Sequence, residues 1–489
     1  MLGKWRSHEE YQEFVSRQLL FGSYDREQLI EYQDSIEKLW IFNLDPLKDI
    51  MADRYSNTGR PAEYQPELFR TYILMQDLDI PINMWVDKLK TNFTLRTICG
   101  FYKSEIPSIA TFYSFVERIT GPETKPQVRK FIRKPKNKLK QGEKLPPKHP
   151  NITQKLKGKL LKGHRFNDPV ADILNEILSL SVRQSIELEL VKTSLNVSGD
   201  GTCIPTGASH YGKKLCECKS NGCYNCDCPR KFSDPTATWG WDSHNEKFYY
   251  GYTGYFISTY DKTHKIDLPL YIRVVDAKRH DSVSAIVSLA EFRDLYPEIK
   301  IKAFASDSAS DNYATYELLK NWHISAVIAF GKSNNGNNKY PIPIAHDNGT
   351  PVCPAGHKMI NWGADKNDRY RRKWRCPFAL GKVERCDLCD SCSSSDYGRV
   401  VYTKVDWDPR IFCDIPRGSD EWKQIMNERT ACERVNNRIL NNYGVEKSRT
   451  RGKKRIFFLT MVAAINIHLD AQLKIRKENG CSDLLSLVA

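Results

Sequence analysis

No run of apolar residues in this chain reaches the roughly 18 that a membrane-crossing helix needs. The opening stretch MLGKWRSHEEYQEF carries no apolar run after its basic residues. Neither a membrane partner nor a secretory leader is therefore expected, and the reading is cytoplasmic. Acids are in deficit as well, 59 Asp and Glu against 74 Lys and Arg, for a net charge of +15. A shortfall of that size points to a polyanionic partner, nucleic acid before membrane. No internal repeat is found, which excludes a solenoid. In an intracellular protein the 15 cysteines are read as reduced thiols or metal ligands, not as a disulfide framework.

What is present is an ordinary globular composition, 40% hydrophobic and 27% charged over 489 residues, enough for several domains. Residues 1–120 read as a helical domain, because apolar residues recur at helical spacing in EEYQEFVSRQLL and PELFRTYILMQDL. Short helices joined by turns fit a helix-turn-helix DNA-binding domain, and equally an ordinary helical bundle. Pro66 suits a first turn, and Ser108 suits the N-cap of IATFYSFVERI. Residues 121–167 are rich in Lys, Arg and Pro and read as an extended basic linker lying along phosphates. From 168 to 331 a helix leads into strands and then into strand–helix alternation, the pattern of an α/β fold with a mixed sheet. Residues 332–410 are polar and rich in Asn, Gly, Cys and Arg, an insertion; helices return in 411–489.

Two acids close apolar strands: Asp200 in NVSGDGTCIP and Asp307 in FASDSASDN. Strand ends are where α/β folds present functional groups. Gly199 and Gly201 flank Asp200 and fit either a tight turn or a clearing in which a metal with a phosphate could approach. A third acid, Glu433, borders the apolar stripe Ile425, Cys432, Val435 and Ile439, with Arg429 one turn earlier. The same spacing also fits a surface Arg–Glu pair. Glu428 lies five residues earlier, about 140° away around the axis, so it and Glu433 cannot serve one ion.

The order strand–Asp, strand–Asp, helix–Glu, with R-x-x-x-E on the helix, resembles the DDE transposases of bacterial insertion sequences. Their catalytic core has a ribonuclease-H-like fold. LRTICGFYKSEIPSIATFYSFVERI is similar to their N-terminal helical domain. VVDAKRHDS is similar to the core strand that runs into a His-Asp pair. ERTACERVNNRIL, with the basic RGKKR after it, is similar to the glutamate helix and the stretch beyond that helix. The sequence departs where relatives place a tyrosine and a lysine; here these positions are Met426 and Leu440.

The resemblance implies a transposase that binds terminal inverted repeats and cuts and joins double-stranded DNA, including target DNA. It implies a homodimer pairing two ends, in a bacterial cytoplasm and associated with the nucleoid. Asp200, Asp307 and Glu433 would hold two Mg²⁺ (or Mn²⁺) ions, and Arg429 would orient Glu433 or touch phosphate. Further phosphate contacts would fall to Arg438, Lys447, Arg449, Arg451 and Lys453. His280 of KRHDS would touch the site from behind. Rival readings are a nuclease of the same fold that does not transpose, and a non-catalytic, zinc-stabilised DNA-binding protein.

The cysteines form two groups. Cys353, Cys376, Cys386, Cys389 and Cys392 fall in the insertion, with His357 nearby, and are expected to hold a structural Zn²⁺. Cys216, Cys218, Cys223, Cys226 and Cys228 could hold a second. Each group has one cysteine more than a tetrahedral site needs, and spacing does not say which is spare. Trp239 and Trp241 could stack on unpaired bases, or simply pack the strand they sit on.

Overall fold

The computed structural model describes residues 1–21, 26–135, 152–331, 340–365 and 371–480. The N-terminal part is helical, as its periodicity predicts: α1 (His8–Phe21), α2 (Arg26–Glu31), α3 (Gln33–Ile41), α4 (Leu47–Ala52), α5 (Gln65–Asp77), α6 (Ile82–Thr91), α7 (Phe93–Cys99) and α8 (Ile109–Thr120). Pro66 sits in the first turn of α5. Ser108 is the N-cap residue of α8, although its hydroxyl meets Thr111 Oγ1 at 3.2 Å and not a backbone N–H.

The stretch read as an extended linker is only partly so. It contributes a short strand, β1 (Val128–Arg129), and a helix, α9 (Ile152–Leu160). Leu156 and Leu160 of α9 pack on Ile286, Val287 and Leu318, and Lys157 pairs with Glu317. Helix α9 has as many lysines as apolar residues, three of each, but two leucines four apart suffice to seat one face. The linker residues 136–151 lie outside the described residues.

Helix α10 (Pro169–Glu187) starts as its sequence directs. Asp168 accepts a hydrogen bond from the Ala171 N–H at 3.2 Å, and Pro169 occupies the first turn. It leads to the strands β2 (Ser194–Pro205), β3 (Lys213–Lys214), β4 (Arg230–Lys231), β5 (Thr238–Asp242), β6 (Lys247–Asp261) and β7 (Ile266–Asp276). Then come α11 (Asp281–Leu295), β8 (Lys300–Ser306), α12 (Tyr313–Asn321) and β9 (Ser325–Ile328).

The long strand β6 meets β2 along one edge and β7 along the other, while its first five residues pair with β5. The sheet therefore runs β7–β6–β2–β8–β9. The β7–β6 and β6–β2 pairs are antiparallel; the β2–β8 and β8–β9 pairs are parallel. The helical crossovers α11 and α12 serve the parallel part, because parallel neighbours cannot be joined by a hairpin.

The insertion forms a hairpin, β10 (His346–Asp347) with β11 (Thr350–Pro351), and a small antiparallel sheet, β12 (Ile360–Asp365), β13 (Arg371–Arg375) and β14 (Val400–Lys404). The one-turn α13 (Cys389–Cys392) lies between β13 and β14. Helices α14 (Asp420–Glu428) and α15 (Thr430–Asn437) come next, separated only by Arg429, and the chain winds on into a π-helical turn over Arg438–Asn442.

The last helix, α16 (Lys453–Glu478), overturns two expectations. Among the described residues it is the one helix long and apolar enough to cross a membrane, and 89% of that apolar stretch is buried inside the protein. A helix apolar on all sides has to be enclosed, and two parts of the chain enclose it. On one side Phe458 meets Phe69, Tyr72 and Phe115 edge-on, and Asn466 donates to the carbonyl of Ile73 at 3.1 Å. On the other, His468 bridges Ser185 and the carbonyl of Pro269 at 2.8 and 2.7 Å. The N-terminal helices and the sheet thus share one hydrophobic core, where the sequence suggested a separate helical module on a tether.

Candidate functional site

The site forms where β2 and β8 run side by side. Their parallel register pairs Ser198 with Ala305. Two residues further on, the same register sets Asp200 beside Asp307, which is still extended and just past the last residue of β8. Opposite residues of parallel strands share a face and stand about 4.8 Å apart. Two carboxylates are thereby held together in a largely buried place. Burial first, and Asp307 second, push the Asp200 carboxyl up to about 7. Asp307 also accepts a hydrogen bond from the Ala309 N–H at 3.1 Å, which fixes the start of the turn after it.

Helix α15 covers the same face. Cys432 donates its thiol to Ser198 Oγ at 2.9 Å, and Asn436 donates its amide to Asp200 Oδ2 at 3.1 Å. Four residues of helix and two residues of strand both advance about 6 Å, so the two contacts match step for step. Glu433 lies between them in sequence. Arg429, at the junction of α14 and α15, reaches Glu433 Oε1 at 2.6 Å. Burial opposes the guanidinium charge, but Glu433, then Asp200 and Asp307, make Arg429 harder to deprotonate. Glu433 is half exposed, with a side-chain accessibility of 52%.

The flanking glycines serve a different purpose from the one their sequence suggested. Side chains alternate along a strand, so positions 199 and 201 face away from the Asp200 side. A Cβ on Gly201 would lie 2.3 Å from Asp281 Oδ1, and one on Gly199 would lie 2.4 Å from the Tyr255 hydroxyl. The glycines therefore admit Asp281 and Tyr255 beneath the strand; no clearing for a metal and phosphate forms on their side.

His280 is an exposed cap of α11, its Nδ1 accepting from the Ser282 N–H at 3.2 Å. Its neighbour Asp281 is the one turned inward, its carboxyl raised by burial and by Asp307 despite the opposing charge of His280. Asp281 and Asn436 were both missed from the sequence. Asp281 carried the signal of an acid at a strand-to-helix turn; Asn436 carried none, since a helical Asn is usually a surface residue.

Glu428 is drawn elsewhere. It accepts from Asn196 at 3.3 Å and pairs with Lys262 at 2.7 Å. Asn196 lies four residues, about 13 Å of strand, before Asp200.

The expected phosphate contacts divide. Arg438 pairs with Asp470 at 2.7 Å, which also binds Lys38, so it belongs to the packing of α16. Lys447, Arg449 and Arg451 lie on the loop before α16, and all three are exposed. That loop is tied down where Gly452 and Lys453 donate backbone N–H groups to Asp234 and Thr236, at 3.1 and 3.0 Å. Trp239 packs against His210 and Tyr250, while Trp241 lies over Phe248 with 43% of its surface exposed.

The two cysteine groups separate cleanly. The sulfurs of Cys216, Cys218, Cys226 and Cys228 all lie within 4.8 Å of one another, and Cys223 stays exposed outside them. Among the described residues no such gathering involves Cys353, Cys376, Cys386, Cys389 or Cys392. Cys353 is buried against Met359 and Trp374. Among the described residues these five sulfurs are not gathered at one point, and that of Cys353 packs a small core.

The Asp200–Asp307 pair lies close to α15, and α15 lies within a recognisable region. Residues 352–469 match the transposase DDE domain family. The match covers about a quarter of the chain and includes Arg429, Glu433 and Asn436; Asp200 and Asp307 fall outside it. A search of curated proteins finds no match to the chain. The DDE-domain match supports transposition-related DNA cleavage and strand transfer, a divalent-metal requirement and a DNA substrate.

Proposed function

We propose that this protein is a DDE transposase with a ribonuclease-H-like core, its active site made of Asp200, Asp307 and Glu433. One observation carries the reading: the register of the parallel strands β2 and β8 brings Asp200, on β2, beside Asp307, just past the end of β8, under a helix that bears Glu433 and lies inside the DDE-domain match. The strand order β7–β6–β2–β8–β9, three antiparallel strands and then two parallel ones, is the order of a ribonuclease-H-like sheet.

The donor set fits divalent ions such as Mg²⁺ or Mn²⁺. Two carboxylates repel each other in a largely buried place, and the Asn436 Oδ1 beside them is buried without a hydrogen-bond partner. Hard oxygen donors of this kind suit such ions. Bound there, the ions would acidify the attacking water or 3′-hydroxyl and neutralise charge on the scissile phosphate.

The residues have separate tasks. Asp200 gives up its proton before it can ligate. Asn436 holds the Asp200 carboxylate in one orientation. Arg429 keeps Glu433 turned along α15 toward the acid pair. Lys447, Arg449 and Arg451 meet the DNA backbone, which positions the duplex without reading its sequence. Two ends are paired by a dimer at the terminal inverted repeats of the element.

The test is a pair of assays with Mg²⁺: cleavage of a labelled inverted-repeat duplex, and joining of pre-cut ends to a target. Loss of both in Asp200→Asn and Asp307→Asn, with DNA binding kept, is the expected result. Cleavage without joining by the unaltered protein would leave a nuclease of the same fold.

A further inference from the structure

The hairpin β3–β4 is short, and little holds it together. From 213 to 231 only Cys226 and Arg230 are buried, so it has no apolar core. Its loop nonetheless arranges four sulfurs symmetrically: Cys216 and Cys218 come after β3, and Cys226 and Cys228 precede β4. Cys216 Sγ lies 3.5 Å from Cys226 Sγ, and Cys218 Sγ lies 3.6 Å from Cys228 Sγ. Zn–S bonds of about 2.3 Å in a tetrahedron place sulfurs about 3.8 Å apart. We propose that Cys216, Cys218, Cys226 and Cys228 bind one Zn²⁺, with Cys223 left out, and that this ion locks the segment 127–133 onto the sheet domain.

The second half of the proposal rests on what the hairpin grips. Strand β1 pairs with β4, and the Phe232 N–H donates to the carbonyl of Gln127 at 2.8 Å. Arg133 holds both neighbours of Cys226, donating to the Asn225 carbonyl at 2.8 Å and to Asp227 Oδ1 at 3.0 Å. Arg230 lies over the ring of Phe131 at 3.7 Å and donates to the Cys226 carbonyl at 3.2 Å. Arg129 reaches past the hairpin to the Ala237 carbonyl at 3.0 Å and the Tyr250 hydroxyl at 2.7 Å.

The segment leaving the N-terminal helices is thus fastened to a loop whose shape depends on four thiolates. A loop with so little buried surface draws its folding free energy from the metal. The proposal stands independently of the nuclease reading.

The test uses the full chain purified without chelator, with metal counted by atomic emission and thiols mapped by alkylation and mass spectrometry. Cys223 should alkylate at once, and the other four only after chelation. Cys218→Ser should hold one zinc fewer than its parent, and Cys223→Ser the same number. The difference between variants is the readout, so metal bound elsewhere does not disturb it. Hydrogen exchange across 127–133 should speed up on chelation in the parent and in Cys223→Ser. Equal zinc in Cys218→Ser and parent, prompt alkylation of all five thiols, or disulfides among them in the purified protein would each overturn the site. Exchange at 127–133 that ignores chelation would overturn the locking role. The alkylation pattern of the parent decides the matter even if Cys218→Ser does not fold.

Discussion

Arg410 grips both carboxylate oxygens of Asp311, at 2.9 and 3.0 Å, with almost nothing of either side chain exposed. Asp311 also accepts from the Gly331 N–H at 2.8 Å and lies four residues after Asp307. The pair fastens the chain that returns from the insertion to the turn that carries the second acid of the site. Arg410→Met should cost about 3–5 kcal/mol, because it strands a buried carboxylate. The double variant Arg410→Met/Asp311→Asn should regain much of that. Urea unfolding of the four proteins measures the coupling; additive losses would count against it.

Glu433 and Glu428 make opposite predictions. Glu433→Gln should lower cleavage by about two orders of magnitude or more, as expected when a group that organises the reacting centre is lost, and should leave binding of DNA ends near normal. Glu428→Gln, whose partners are Asn196 and Lys262, should cleave within a few-fold of the parent. Cleavage rates read beside gel shifts on the same duplex distinguish them, and the reverse pattern would remove α15 from the active site.

Asp200 makes the acid pair sensitive to pH. Its folded value of about 7 lies above its ordinary 3.8. The stability it contributes is therefore complete below about 4 and lost as the pH climbs through 7. In chelator, the melting temperature of the parent should fall over that window relative to Asp200→Asn. Asp307→Asn should narrow the window by removing the like charge. Added Mg²⁺ should raise the parent most at and above pH 7, where Asp200 is already ionised. A parent and an Asp200→Asn protein with parallel profiles would rule this out.

His468 acts in the opposite sense. It is fully buried between Ser185 and Pro269, and burial lowers its ring to about 4 from 6.5. A depressed histidine stabilises fully above 6.5 and loses that contribution as the pH falls toward 4. The loss is on the order of 3 kcal/mol. His468→Gln should flatten this acid limb of the stability profile, and the comparison is made by denaturant titration at pH 7 and pH 4.5. Identical acid sensitivity in the two proteins would refute the assignment.

Some of this was legible in the sequence because it is local. The strand-like stretches around β2, β7 and β8 were visible, and an acid at the end of an apolar run singled out Asp200 and Asp307. Asp307 does follow the end of β8, whereas β2 runs on past Asp200 to Pro205 because β6 pairs with it that far, so Asp200 lies within its strand and does not close it. The spacing of Arg429 and Glu433 gave their contact. The remainder depends on what packs against what. The direction in which Gly199 and Gly201 open is set by the tyrosine and aspartate that fill the far side of the strand. Asn436 matters because α15 and β2 advance at matching rates. Ile152–Leu160 looked like linker because its apolar residues are few. Cysteine spacing could not choose among five thiols, since the choice is made by a hairpin two residues wide on each side.

The shared core around α16 has a consequence in time. Asn466 bonds to Ile73 across 393 residues of chain, and Phe458 fills the space among Phe69, Tyr72 and Phe115. On the ribosome, helices α1 to α8 are made first and must wait for α16 before their apolar faces are covered. A nascent chain stopped anywhere before residue 453 carries the N-terminal helices with that surface open, a substrate for chaperones and proteases. Only a chain translated through α16 can close the fold, so every truncated product lacks the shared core on which the sheet and its acid pair are packed.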